Sequence, residues 1–214
     1  MKYRSVLFVP GCDEKKIKKA YTLSADLIVL DLESTVPENK KEIAKNIIRN
    51  LDLDKSKTYI RINSNNDLDF VTQEKFIGIF LPFTESEIQL LKINNELKNL
   101  ETLKTDIIPI IESQEGLNNL RDICNYKERV KLISFGSHDL TKSLNLKVSD
   151  NEEEILIYRQ VIAKNSYKPI DTSYLNYKDL DGFKESCILS KHLGFGGKAC
   201  IHPDQINIAN DIFF

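Results

Sequence analysis

The chain has 214 residues, 41% hydrophobic and 29% charged, an ordinary balance for a globular protein with a core of its own. A net charge of only −2 supplies no global field that would recruit nucleic acid or an anionic membrane. No apolar stretch approaches the roughly 20 residues that a membrane-spanning helix needs, and the first one, Ser5–Val9, is too short for a signal peptide and is ended by Pro10.

That first run reads as a β-strand. Asp13 then caps a helix with Ile17, Ala20 and Tyr21 on one face. Leu27–Leu30 is a second strand, running into Asp31-Leu32-Glu33, and a helix after Pro37 carries Ile43, Ala44, Ile47, Ile48 and Leu51 on its apolar stripe. Tyr59–Ile62 is a third strand that contains Arg61. The polar stretch Asn63–Asp69 is a loop, with a helical piece near Phe70–Phe76. Ile77–Leu81 is a fourth strand, stopped by Pro82, and Ile88, Leu91 and Leu97 ride the charged helix behind it.

Ile107-Ile108-Pro109-Ile110-Ile111 is β-branched and apolar throughout except for one proline, as suits a strand buried on both faces of a parallel sheet. It stops on Glu112, and Leu117, Leu120 and Ile123 mark the next helix. Val130–Gly136 repeats the pattern and runs out into a loop, Ser137-His138-Asp139. A helix with Ile155, Tyr158 and Ile162 follows, then a weak strand at Pro169-Ile170 leading to Asp171-Thr172. The helix of Leu180, Phe183, Cys187 and Leu193 is closed by Gly194, Lys198–Ile201 is the eighth strand, and Pro203 opens a last helix with Ile206, Ala209 and Ile212 inward.

Strands and helices alternating at a repeat of about 25 residues predict an α/β fold, a (β/α)8 TIM barrel, in one domain spanning residues 1–214. An open doubly wound sheet is the alternative and usually has fewer strands. Cys12, Cys124, Cys187 and Cys200 show no CxxC pairing and no histidine at zinc-ligand spacing, so reduced thiols in a cytoplasm are expected.

In a barrel all strand C-termini open on one face, which gathers Asp31, Glu33, Arg61, Glu85, Glu112, Asp139, Asp171 and His202 there. Glu112 and Asp139 end consecutive strands, and two hard oxygen ligands with room for water suit Mg²⁺. Equally, both acids simply cap the helices that follow. Arg61 fits a substrate carboxylate or phosphate, or a buried ion pair with Asp31 or Glu33. His138 reads as an exposed loop residue rather than a base, and His202 as a structural hydrogen-bonding residue. Lys198 reads as snorkelling to water, the alternative being a Schiff-base nucleophile.

Several motifs together resemble the citrate lyase β-chain-like proteins of the HpcH/HpaI aldolase group. They are Arg4-Ser5-Val6-Leu7-Phe8-Val9-Pro10-Gly11, Ile28-Val29-Leu30-Asp31-Leu32-Glu33, Phe135-Gly136-Ser137-His138-Asp139-Leu140, Ile170-Asp171-Thr172 and the run from Leu193 to Ile206. The resemblance implies a Mg²⁺-dependent carbon–carbon lyase or aldolase acting on a small 2-oxo or 3-hydroxy acid, free or as its CoA thioester. It places metal ligands at Glu112 and Asp139 and a substrate-binding arginine at Arg61. Gly136 and Ser137 are candidate substrate-binding positions, and Glu33 with Asp31 would act at the catalytic centre by orienting water or metal-bound groups. It also implies a homo-oligomer, usually a trimer, and a short form of the barrel without the family's C-terminal lid. This chain departs from the family pattern at Ser34, Phe83 and His138. A non-catalytic barrel subunit or acid-binding protein is the alternative.

Overall fold

A computed structural model describes residues 2–100, 103–149 and 152–214. Eight parallel strands close into a barrel in the order of the sequence. They are β1 (Ser5–Pro10), β2 (Leu27–Asp31), β3 (Thr58–Arg61), β4 (Gly78–Leu81), β5 (Asp106–Ile111), β6 (Ser134–Phe135), β7 (Ile170–Asp171) and β8 (Gly197–Cys200). Helices return the chain between them: α1 (Glu14–Ala20), α2 (Lys41–Arg49), α3 (Leu68–Gln73), α4 (Glu87–Leu100), α5 (Gln114–Asn118), α6 (Leu120–Asn125), α7 (Ser137–Ser143), α8 (Leu156–Asn165) and α9 (Leu180–Leu193), with α10 (Asp204–Ile212) after β8. The expected TIM barrel is therefore present.

The strands are apolar on both sides because they separate two cores, and the buried side chains divide accordingly. Val6, Leu27, Val29, Tyr59, Phe80, Ile108, Ile110, Leu132, Ile170 and Ala199 fill the barrel interior. Leu7, Ile28, Leu30, Ile60, Ile79, Ile107, Ile111, Ile133 and Cys200 belong to the larger layer between sheet and helices. Successive side chains along a strand alternate between these cores. A residue's parity thus decides whether it points into the barrel or out toward the helices.

Local signals set several helix ends, those at Asp13 and Gly194 as expected. The Asp13 carboxylate accepts the Lys16 amide and starts α1, Ser113 and Asp179 do the same for α5 and α9, and Gly194 ends α9 with φ +108°, which costs glycine nothing.

Other expectations shift. The buried face of α4 is Leu90, Ile93 and Leu97, whereas Ile88 and Leu91 are exposed, because one position of offset rotates a helix face by about 100°. Ile43 is likewise exposed on α2, whose inward line is Ala44 and Ile48. Within the predicted strand Val130–Gly136 only Ser134–Phe135 is regular, and Val130 touches Ile107 as an isolated bridge. Ser137–Asp139 is the first turn of α7 and not a loop. All four cysteines are free thiols, and among the described residues no helix is long and apolar enough to cross a membrane.

Candidate active site

The C-terminal ends of the strands enclose a cavity of about 830 Å³, and Arg61, Glu112, Gly136 and Asp139 are all on its wall. Parity explains most of this: Glu112 continues the inward series Ile108–Ile110, Arg61 follows Tyr59, and Gly136 follows Leu132 and Ser134. The β5–β6 register pairs Ile111 with Phe135 and so sets Glu112 beside Gly136. A Cβ on residue 136 would stand 2.5 Å from Glu112 Oε2, so only glycine leaves that carboxylate its place.

Glu112 is 4% exposed. Its Oε1 accepts the Phe83 amide at 2.8 Å, and Phe83 holds the left-handed φ of +46° to present that N–H. Burial pushes the Glu112 carboxyl up to about 8; the Phe83 amide and Arg61 oppose the rise, while the charges of Asp139 and Glu33 add to it. Asp139 reaches the same cavity from the first turn of α7, where Lys142 Nζ donates to its Oδ1 at 2.9 Å. Both acids therefore face one space and feel each other's charge.

No cluster of three histidine, cysteine or acidic side chains arranged for a metal occurs among the described residues. Two carboxylates facing one cavity, Glu112 buried and Asp139 partly exposed, are a donor set for a hard cation that keeps part of its hydration, as Mg²⁺ does, and not for zinc. The residues fit that ion.

Arg61 lies beside Asp31 in the β2–β3 register, and Asp31 is fully buried. Its Nε and Nη2 each donate to the Asp31 carboxylate at 2.6 Å, and Nη2 also donates to Ser34 Oγ at 2.5 Å. Nη1 stands 3.2 Å from Glu33 Oε2, and the Phe8 ring lies 5.5 Å from the guanidinium carbon. Burial would raise the Asp31 carboxyl, but Arg61, the Thr35 hydroxyl and the Glu33 amide outweigh it and hold it below the usual range. With both oxygens filled by Arg61, Glu33 and Thr35 donors, Asp31 orients the arginine. The ion pair and the cavity-facing role coexist, because Nη1 keeps an N–H beyond its contact with Glu33.

Ser137 bonds across to the end of β7. Its amide donates to Thr172 Oγ1 at 3.1 Å and its hydroxyl shares a 2.8 Å hydrogen bond with the same atom. Thr172, not Ser137, is on the cavity wall. His138 is exposed on that wall. His202 stacks on Tyr177 with ring centroids 4.8 Å apart and takes the Asp204 amide on Nδ1.

Asp171, grouped with the mouth by sequence, and Lys198, read as snorkelling to water, both lie elsewhere. Asp171 and Lys198 have the outward parity and are fully buried between the barrel and its helices. Lys198 Nζ donates to Asp171 Oδ2 at 2.5 Å and to Ser186 Oγ at 2.9 Å, and Arg159 Nε reaches Asp171 Oδ1 at 3.2 Å. Lys198 neither snorkels nor faces a substrate. Sequence reasoning gave no role to the Phe83 amide, Phe8 or Thr172. Phe8 and Thr172 do share inward parity with their strands, which is a readable signal; a backbone donor in a left-handed turn leaves none.

The HpcH/HpaI aldolase/citrate lyase family model matches residues 4–203. The human mitochondrial citramalyl-CoA lyase is 33% identical, over 98% of this chain and 70% of its own length. The citrate lyase subunit beta of Escherichia coli K12 is 27% identical over 98% of this chain and 76% of its own. In fold, the chain is similar to the citrate lyase beta subunit of Mycobacterium tuberculosis, a structure complexed with oxaloacetate and magnesium, with a TM-score of 0.87, 24% identity and coverage of 100% of this chain and 99% of that one.

Proposed function

The chain belongs to the HpcH/HpaI aldolase/citrate lyase family and is a carbon–carbon lyase, and from that premise we propose that it works with Mg²⁺ on a small 2-oxo or 3-hydroxy acid, presented as its CoA thioester. The observation that carries this reading is the meeting of Glu112 from β5, Asp139 from α7 and Arg61 from β3 on one cavity.

Glu112 and Asp139 would hold the ion, which when bound supplies a Lewis acid for the electron pair left as the carbon–carbon bond breaks. Everything else is done by the chain. Asp31 and Ser34 fix the plane of Arg61, whose remaining Nη1 donor takes the substrate carboxylate. Glu33, partly exposed beside Nη1, orients a water at the same spot. Phe8 floors the cavity with an apolar ring and keeps bulk water off the reacting carbons. The thioester reading draws support from relatives named as acyl-CoA enzymes and from Lys15, Lys16 and Lys19 of α1 on the cavity wall, a set of cations suited to phosphates.

The test is release of a 2-oxo acid from citramalyl-, malyl- and citryl-CoA, and from the free acids, with Mg²⁺ or with EDTA. Cleavage of at least one thioester that EDTA stops and added Mg²⁺ restores is expected. Cleavage indifferent to EDTA, or confined to the free acids, overturns the assignment.

Arg61→Lys provides a second check. A lysine keeps the charge but not the fork that Asp31 and Ser34 hold, so oxaloacetate binding is expected to weaken about tenfold or more, with KM rising more than kcat falls. Calorimetry with oxaloacetate reads this directly, and unchanged affinity would take Arg61 out of the site.

A further inference from the structure

Helix α7 carries Asp139 but begins without a cap of its own. The residue before it is Gly136, which has no side chain to accept an amide, and none can be added there because a Cβ would meet Glu112 Oε2 at 2.5 Å. The sequence therefore gives up local capping at the point where the Glu112 carboxylate needs space. The first amide of α7 is nevertheless satisfied. Ser137 N donates to Thr172 Oγ1 at 3.1 Å, and the two hydroxyls lie 2.8 Å apart. The acceptor comes from the end of the neighbouring stave, β7, across a strand pair joined at a single register position, Ser134 with Ile170.

We propose that Thr172 is a positioning residue: its hydroxyl caps α7 from the adjacent strand and so sets where Asp139 stands relative to Glu112. A threonine at this place meets two demands. Thr172 is 3% exposed and has inward parity, so its hydroxyl meets the helix start from inside the mouth. Asp171, one residue earlier, is clamped outward by Lys198, Arg159 and Ser190, which fixes the backbone from which Thr172 projects. The chain of control thus runs from a buried ionic cluster, through one hydroxyl, to the first turn of a helix and the carboxylate it bears. Helix N-caps are worth enough to shift such a turn, and groups that orient a metal-binding side chain change metal affinity by about 10- to 100-fold when removed.

This inference rests on Asp139 and Glu112 binding Mg²⁺, and the experiment separates the two. Mg²⁺ affinity is measured by calorimetry for the wild type, Thr172→Val and Thr172→Ser, beside melting curves and amide exchange at Ser137, all without substrate. The expected result is about tenfold weaker binding and faster Ser137 exchange in Thr172→Val, with Thr172→Ser within twofold of wild type. In turnover assays the Val variant should need more Mg²⁺ for half-maximal rate while KM for the thioester holds. Wild-type binding that Thr172→Val leaves unchanged overturns the inference alone. Equal loss in the Ser and Val variants assigns the effect to packing of the methyl group and also overturns it. A wild type that takes up no Mg²⁺ overturns the metal reading and the inference with it.

Discussion

Glu112→Gln is expected to reduce lyase turnover about a thousandfold, roughly 4 kcal/mol of transition-state stabilisation, and at the same time to make the metal-free protein more stable at pH 8. The two effects have one cause. The Glu112 carboxyl is raised from 4.5 to about 8 because it is buried. A group raised in the folded state binds its proton more tightly there than in the unfolded chain. Its contribution to stability is whole below the unfolded value of 4.5 and is lost as pH climbs toward 8. Across that window the loss is on the order of 4 kcal/mol.

Glutamine keeps an oxygen for the Phe83 amide but has no charge to desolvate, so the Glu112 share of the slope with pH should vanish. In EDTA at pH 8 the variant should melt several degrees above wild type. Added Mg²⁺ should raise the wild-type melting temperature and leave the variant where it was. Matching melting curves for the two proteins in EDTA from pH 5 to 8 would refute this account of Glu112.

Asp171→Asn is the substitution expected to cost most in stability. The wild-type carboxylate is fully buried, with Lys198 at 2.5 Å, Arg159 at 3.2 Å and the Ser190 hydroxyl at 2.5 Å. Burial alone would push its carboxyl up; Lys198 and Arg159 outweigh burial and hold it below the usual range. Among the described residues, an amide leaves two buried cations with Glu152, 2.9 Å from Arg159 Nη2, as the one remaining carboxylate paired with them. Breaking one side of a buried ion cluster in this way costs about 3–5 kcal/mol. Adding Lys198→Met removes one of the stranded charges, so the double variant should recover part of the loss. Chemical denaturation of the two single variants and the double variant measures the coupling, and strictly additive losses would show that Asp171 and Lys198 do not act as a pair.

The barrel was legible in the sequence because buried parallel strands leave a repeating apolar signature and helices intervene at regular spacing. Glu112, Asp139 and Arg61 were legible as polar residues at strand ends. Their environment was not. That Asp31 spends both oxygens on Arg61, Thr35 and the Glu33 amide depends on a register between β2 and β3 that no single strand reveals. Asp171 and Lys198 were assigned to the wrong surroundings because strand position was read without parity. Counted from Ile170 and Ala199, which face inward, both point toward the helices. Ser137 stood as a candidate substrate contact, and its hydrogen-bond partner, Thr172, is 35 residues away. α4 was displaced by one position because its apolar residues, Ile88, Leu90, Leu91, Ile93 and Leu97, permit two overlapping faces, and only packing against the sheet chooses between them.

The ladder between β6 and β7 is a single rung, and β6 is only two residues long. Backbone pairing therefore contributes least along the side of the wall that carries Asp139 and Thr172. There the circle is closed by side chains: a hydroxyl pair, a capped amide and an ionic clasp behind them. Breathing motions of the barrel will concentrate at this seam, and the Ser137–Thr172 hydroxyl pair crosses it like a stitch.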